Sequence, residues 1–153
     1  MDEVKQECVV SQNMRDNNVS SKNQVDGALP YYTVKNGGKM RILFVGNSIT
    51  WHKPAPSIGW HGDWGMAASS LDKDYVHVLV SLLEQKHGRV DYCVAQLSAW
   101  ERAYTDLSLL EPLSAVRDFA PDVIVIRLTE NMPEGSAPAS RPYFEEMIRY
   151  FRN

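Results

Sequence analysis

The chain has 153 residues, 44% of them apolar and 23% charged, with a formal net charge of −3. That length suits one domain around one hydrophobic core, and the acidic balance, with no long run of Lys and Arg, excludes the electrostatic footprint of a nucleic-acid partner. No apolar run approaches the roughly 20 residues of a spanning helix, and the acidic, polar start "MDEVKQECVV" lacks the basic-then-apolar order of a secretory signal, so a cytoplasmic chain with no membrane partner is expected.

The first segment, residues 1–27, reads as a mobile polar arm. "SQNMRDNNVSSKNQVDG", from Ser11 to Gly27, has too few large apolar side chains to offset the entropy of ordering it. Asn18-Val19-Ser20 fits a glycosylation sequon, a short pattern that arises often by chance. Residues 28–39, with Pro30, Tyr31, Tyr32 and Gly37-Gly38, read as an extended lead-in lying on the domain. Cys8 and Cys93 stand far apart, which argues against a disulfide framework or a paired-cysteine metal site, and Cys93 is a small apolar residue of a strand.

Regular structure is expected over residues 40–153. "MRILFVG" from Met40, "DYCVAQL" from Asp91 and "PDVIVIRL" from Pro121 are apolar runs of strand length. Between the first two, residues 74–88 place Tyr75, Val78, Leu79, Leu82 and Leu83 on one helical stripe, with Asp72 and Asp74 near its start and Gly88 at its end. Further helices are expected over Pro112–Phe119 and over Arg141–Phe151, the latter with Ser140 as N-cap. Strand alternating with helix predicts βαβ units: an α/β fold, a flavodoxin-like three-layer α/β/α sandwich with a parallel sheet.

Each strand ends on polar residues: Asn47 and Ser48 after the first, Gln96 to Glu101 after the second, Thr129-Glu130-Asn131 after the third. In a parallel sheet these are neighbouring carboxyl-end loops, the usual place for a cleft. A serine and an asparagine converging there suggest a nucleophile and an oxyanion donor.

"VGNSIT", Val45 to Thr50, resembles the first block of the SGNH, or GDSL-type, hydrolases, in a subgroup with Asn in place of Asp, and "VIVIRLTEN" resembles their third block. The resemblance spans Met40 to about Asn131. It implies a serine esterase with Ser48 as nucleophile, the Ser48 N–H and the Asn131 amide as oxyanion donors, and Asn47 as support for the turn. The third block's Gly is Thr129 here and its Asp is Met132. The second block's Gly, due near Trp100-Glu101, has no counterpart. The family's C-terminal Asp-x-x-His block is also missing, since no His follows His87 and no Asp follows Asp122. The resemblance therefore implies a C-terminally truncated domain, weak or absent turnover by this chain, and self-association through the truncated sheet edge. For longer relatives a secreted or periplasmic location stays open.

Without that block the base must come from elsewhere. His52, four residues beyond Ser48, and His61, beside Asp63, are the candidates, weighed against the ordinary fate of a loop histidine facing solvent. A metal site of His52, His61 and Asp63 fits no established spacing, and neither a metal nor a cofactor is expected. The loop "WHKPAPSIGWHGDW" from Trp51 offers Trp51 and Trp60 either as a sugar-stacking wall or as packing, with Trp64 assigned to packing. Glu101 either pairs with Arg102 or reaches the cleft as a substrate contact.

Three functions remain open. They are a serine hydrolase of small esters, acylated carbohydrates among them; a catalytically dead remnant or carbohydrate-binding module of the same fold; and a flavodoxin-like nucleotide or phosphate binder. The last is disfavoured by the absence of a glycine-rich phosphate loop after the first strand.

Overall fold

The computed structural model describes residues 21–152. Five strands form one mixed sheet: β1 (Ser21–Val25), β2 (Tyr31–Lys35), β3 (Met40–Gly46), β4 (Val90–Gln96) and β5 (Val123–Arg127), in the spatial order β1-β2-β4-β3-β5. The helices are α1 (Tyr75–His87), α2 (Ser98–Arg102), α3 (Ser114–Asp118) and α4 (Ala137–Arg152).

The three apolar runs are parallel neighbours, with β3 in the centre: Leu43 lies opposite Cys93 on one side and Ile124 on the other. The expected all-parallel sheet is corrected by β1 and β2. These form a hairpin, and β2 runs antiparallel to β4, with Tyr32 opposite Val94. The polar-arm reading thus fails over Ser21–Val25, and the lead-in contains a full strand. The rest of the arm, with the Asn18 sequon and Cys8, lies outside the described residues. β1 is legible only in its partner. Its side chains from Lys22 to Val25 are exposed, and its order comes from backbone pairing with a strand whose Tyr31, Tyr32 and Val34 are buried.

The path from β3 to β4 steps one way across the sheet, and the path from β4 to β5 steps back past β3. Crossovers of one hand that step in opposite directions must place their helices on opposite faces. One core cluster accordingly gathers Ile42, Phe44, Val94 and Trp51 under Val76 and Val80 of α1. The other gathers Leu43, Val45 and Ala95 under Val116 of α3 and Met147 and Phe151 of α4. Loops leaving β3 and β4 for opposite faces open a crevice between these strand ends.

Asp74 caps α1 by accepting the His77 N–H at 2.8 Å, and Gly88 follows its last turn. The buried stripe is rotated from the expected one: Val76 and Val80 are buried while Val78 and Leu82 are exposed. The helix expected over Pro112–Phe119 is a 3₁₀ segment, Leu107–Leu113, followed by the short α3. Ser140 is not an N-cap but a buried residue inside α4, its hydroxyl donating to the Ala137 carbonyl at 3.0 Å. The helix starts earlier because Pro138 is tolerated in its first turn.

Candidate functional site

β3 ends at Gly46 because the chain turns there at once. A Cβ on Gly46 would strike the Thr50 side chain and stand 3.0 Å from the Arg127 carbonyl oxygen, so only glycine fits. The Thr50 and Trp51 N–H groups both donate to the Asn47 carbonyl, at 2.9 and 3.1 Å. Asn47 is fully buried. Its Oδ1 accepts the Ile49 N–H at 3.1 Å, and its Nδ2 donates to Glu130 Oε2 at 2.5 Å and to Glu101 Oε1 at 3.3 Å. These bonds fix the turn that presents Ser48.

Ser48 is half-buried and borders a cleft of about 430 Å³. Gln96, Ser98 and Arg102 line it from the end of β4 and from α2, His52 from the loop after β3, and Gly27 and Pro30 from the hairpin turn. The hairpin reaches the site because β2 runs antiparallel to β4, so its first residue sits at the carboxyl end of β4. Gln96 N–H donates to the Pro30 carbonyl at 2.9 Å. Among the described residues neither the Ser48 hydroxyl nor its N–H has a hydrogen-bond partner.

Asn131 does not border this cleft. Its Nδ2 donates to Glu101 Oε2 at 2.6 Å, while Glu101 Oε1 accepts the Thr129 N–H at 2.5 Å. Glu101 is fully buried, which corrects its reading as a substrate contact or a partner of Arg102. It is instead the acceptor on which the loops after β3 and β5 meet. A carboxyl group has acceptor sites for several donors and needs no cation if enough N–H groups face it. Glu130, at the rim, is pushed up by burial, but its own backbone N–H, the Asn47 amide and the Arg127 guanidinium hold its carboxyl below the ordinary value. Arg127 Nη1 lies 2.7 Å from Glu130 Oε1.

Of the two histidines, His52 borders the cleft and His61 does not; His61 is exposed. The His52 Nδ1 stands 2.6 Å from the Lys53 carbonyl oxygen. A carbonyl only accepts, so Nδ1 carries a proton, and in the neutral ring Nε2 is then the lone-pair nitrogen.

The tryptophans are packing. Trp51 is buried, makes an edge contact with Tyr32 at 4.8 Å and donates Nε1–H to Asp63 at 2.8 Å. Trp60 donates to the His52 carbonyl at 3.2 Å and packs edge-on to Trp64 at 5.5 Å. Neither borders the cleft, which corrects the sugar-wall reading at this site. Asp63 also holds Lys22 of β1 at 2.5 Å, and the Lys22 ammonium lies over the Tyr32 ring. With the Lys53–Asp26 pair at 2.7 Å, this clamps the hairpin to the Trp-rich loop. Among the described residues no cluster of three His, Cys, Asp or Glu could hold a metal ion, and no helix is long and apolar enough to cross a membrane. Cys93 is buried in β4, which pushes its thiol up to about 12.

The hairpin turn carries no sequence signal, because its residues serve by backbone position. Glu101 was a candidate for another role, and its role as a buried acceptor had a signal of its own: a carboxylate in an apolar strand–helix junction, between Trp100 and the end of a short helix. Comparison with family models, with curated proteins and with solved structures finds no match for this chain.

Proposed function

We propose that the chain is a serine hydrolase of the SGNH type acting on small esters, acylated carbohydrates among them, with a flavodoxin-like parallel core to which the hairpin adds an antiparallel edge. The observation that carries this reading is the position of Ser48: directly after the central parallel strand, on a turn held by a buried asparagine, with its hydroxyl at a cleft.

In this reading Ser48 Oγ attacks the acyl carbonyl carbon while a base takes its proton. The alcohol leaves with that proton, and water then releases the acid. With Nδ1 bonded to the Lys53 carbonyl, the neutral His52 ring has the tautomer a base needs, its Nε2 open toward a proton. It lacks a carboxylate to orient the ring, and no hydrogen bond joins it to Ser48, so slow turnover by this chain alone belongs to the proposal. The Ser48 N–H is the oxyanion donor nearest the nucleophile, and Asn131 acts on the same turn through Glu101 and Asn47. A second reading, binding without turnover, is favoured by the Ser48 hydroxyl having no base within hydrogen-bond reach.

Reaction with a fluorophosphonate followed by peptide mapping tests the proposal. Modification at Ser48, absent in Ser48→Ala, supports it; a folded protein left unmodified at Ser48 rejects it in favour of the binding reading.

A further inference from the structure

We propose that the Ser48 cleft selects an ester carrying a carboxylate, which Arg102 binds; this rests on the reading of Ser48 as the reacting group. The first support is the charge around the cleft. The chain is acidic overall, with 19 Asp and Glu against 16 Lys and Arg, yet none of the 11 residues bordering the cleft is acidic. The nearby carboxylates are engaged elsewhere. Glu101, adjacent in sequence to Arg102, is buried under its three donors. Asp26 is paired with Lys53 and Asp63 with Lys22.

The second support is Arg102 itself. Arg41, Arg117, Arg127, Arg141 and Arg149 all pair with a carboxylate, whereas Arg102, like Arg89 and Arg152, has no such partner among the described residues, and of these three Arg102 is the one that borders the cleft. One Nη1–H donates to the Ser98 carbonyl at 3.4 Å, one helical turn back. That bond draws the guanidinium along α2 and leaves most of its N–H donors for a ligand. A planar fork of donors matches a carboxylate in two parallel hydrogen bonds.

The third support is the polarity of the lining. Gln96 Oε1 already accepts the Ser98 N–H at 3.1 Å, so the Gln96 amide offers the cleft its NH₂. Ser48 and Ser98 add hydroxyls. Met66 and Ile58 line the cleft as well and supply apolar contact for the rest of a small ligand. A volume of about 430 Å³ suits a small acid ester.

The test uses two acetyl esters that share the acyl group and ring, 4-acetoxybenzoate and its methyl ester, titrated by NMR into the full chain carrying Ser48→Ala so that neither is cleaved. The carboxylate form is expected to bind about tenfold more tightly, as a charge-assisted pair provides. Adding Arg102→Gln should bring the ratio to about one, and Arg102→Lys should retain part of it, because a point charge keeps attraction and loses the fork. Equal affinities for the two esters, no binding of either, or a preference that survives Arg102→Gln would each overturn the proposal. Fluorophosphonate modification of the protein with Ser48 intact is judged separately: its failure removes the hydrolase reading and leaves a carboxylate site standing, whereas loss of the Arg102-dependent preference removes only the specificity.

Discussion

Glu101 Oε2 accepts the Asn131 Nδ2–H at 2.6 Å, tying the loop after β5 to the helix after β4 through a carboxyl group that solvent does not reach. With the Thr129 N–H and the Asn47 amide on its other oxygen, this carboxyl group determines how three chain segments meet beneath Ser48. Glu101→Gln would turn an NH₂ donor toward one of those donors and is expected to cost about 2 kcal/mol. Glu101→Ala leaves the Thr129 N–H and the Asn131 amide without this acceptor, while the Asn47 amide keeps Glu130, and should cost more, about 3–5 kcal/mol. Urea unfolding at neutral pH measures both, and a loss under about 0.5 kcal/mol for Glu101→Ala would rule out this role.

Thr129 adopts φ 119°, a region that β-branched residues rarely occupy. The bond from its N–H to Glu101 holds it there. Thr129→Gly should relieve about 1–3 kcal/mol of strain against a flexibility cost of about 0.5–1 kcal/mol, for a net gain near 1 kcal/mol. In a chain of this size that raises Tm by about 2–4 °C. A lowered Tm would show that the threonine side chain contributes packing that outweighs the strain.

The clamp between the hairpin and the Trp-rich loop centres on Asp63. Its pair with Lys22 is partly exposed, 34% and 41% for the two side chains, and contributes little on its own. The Trp51 indole N–H is another matter, because the ring is buried and Asp63 is its acceptor. Asp63→Ala should therefore cost about 1–3 kcal/mol, Asp63→Asn much less because its Oδ1 still accepts, and Lys22→Met least. The order of the three midpoints in urea is the check.

Acid should loosen the rim of the site. The Glu130 carboxyl is held below its ordinary value of 4.5, so the folded state favours its charged form. The sign follows from linkage: the stabilisation is full above 4.5 and is lost as pH falls from there through the lowered folded-state value. Glu130→Gln should flatten that part of the stability curve relative to the unaltered chain, and parallel curves below pH 4.5 would contradict the assignment.

Ester turnover by the chain alone should be slow. With p-nitrophenyl acetate, the unaltered protein is expected to exceed Ser48→Ala only slightly, because removing one member of a serine–base pair can lower turnover by about a millionfold. Strong hydrolysis that disappears in both Ser48→Ala and His52→Ala would overturn this and establish His52 as the base; strong hydrolysis kept in His52→Ala and lost in His61→Ala would assign the base to His61.

The three parallel strands were legible in the sequence as continuous apolar runs: "ILFV" of β3 is buried on both faces, and "VIVI" of β5 is as apolar although Val123 and Ile126 stay exposed. The Asp74 cap, the Gly88 stop and the turn at Ser48 were legible for a similar reason: short-range backbone geometry selects particular residue types. Only the tertiary structure decided the rest. β1 owes its order to hydrogen bonds with β2, and backbone pairing leaves no mark on the exposed side chains of "KNQV". Gly27 and Pro30 reach the Ser48 cleft because β2 pairs antiparallel with β4 and returns the chain to the same end of the sheet. Glu101 and Arg102 are neighbours of similar polarity in sequence, yet one is fully buried and the other faces the cleft. Successive residues on a helix point about 100° apart, and which of those directions is interior is set by the strands it packs against. Trp51 went to packing rather than to a wall of the cleft because the β1–β2 hairpin supplied, through Lys22 and Tyr32, a surface for it to close on, and Trp60 packs against Trp64 of the same loop.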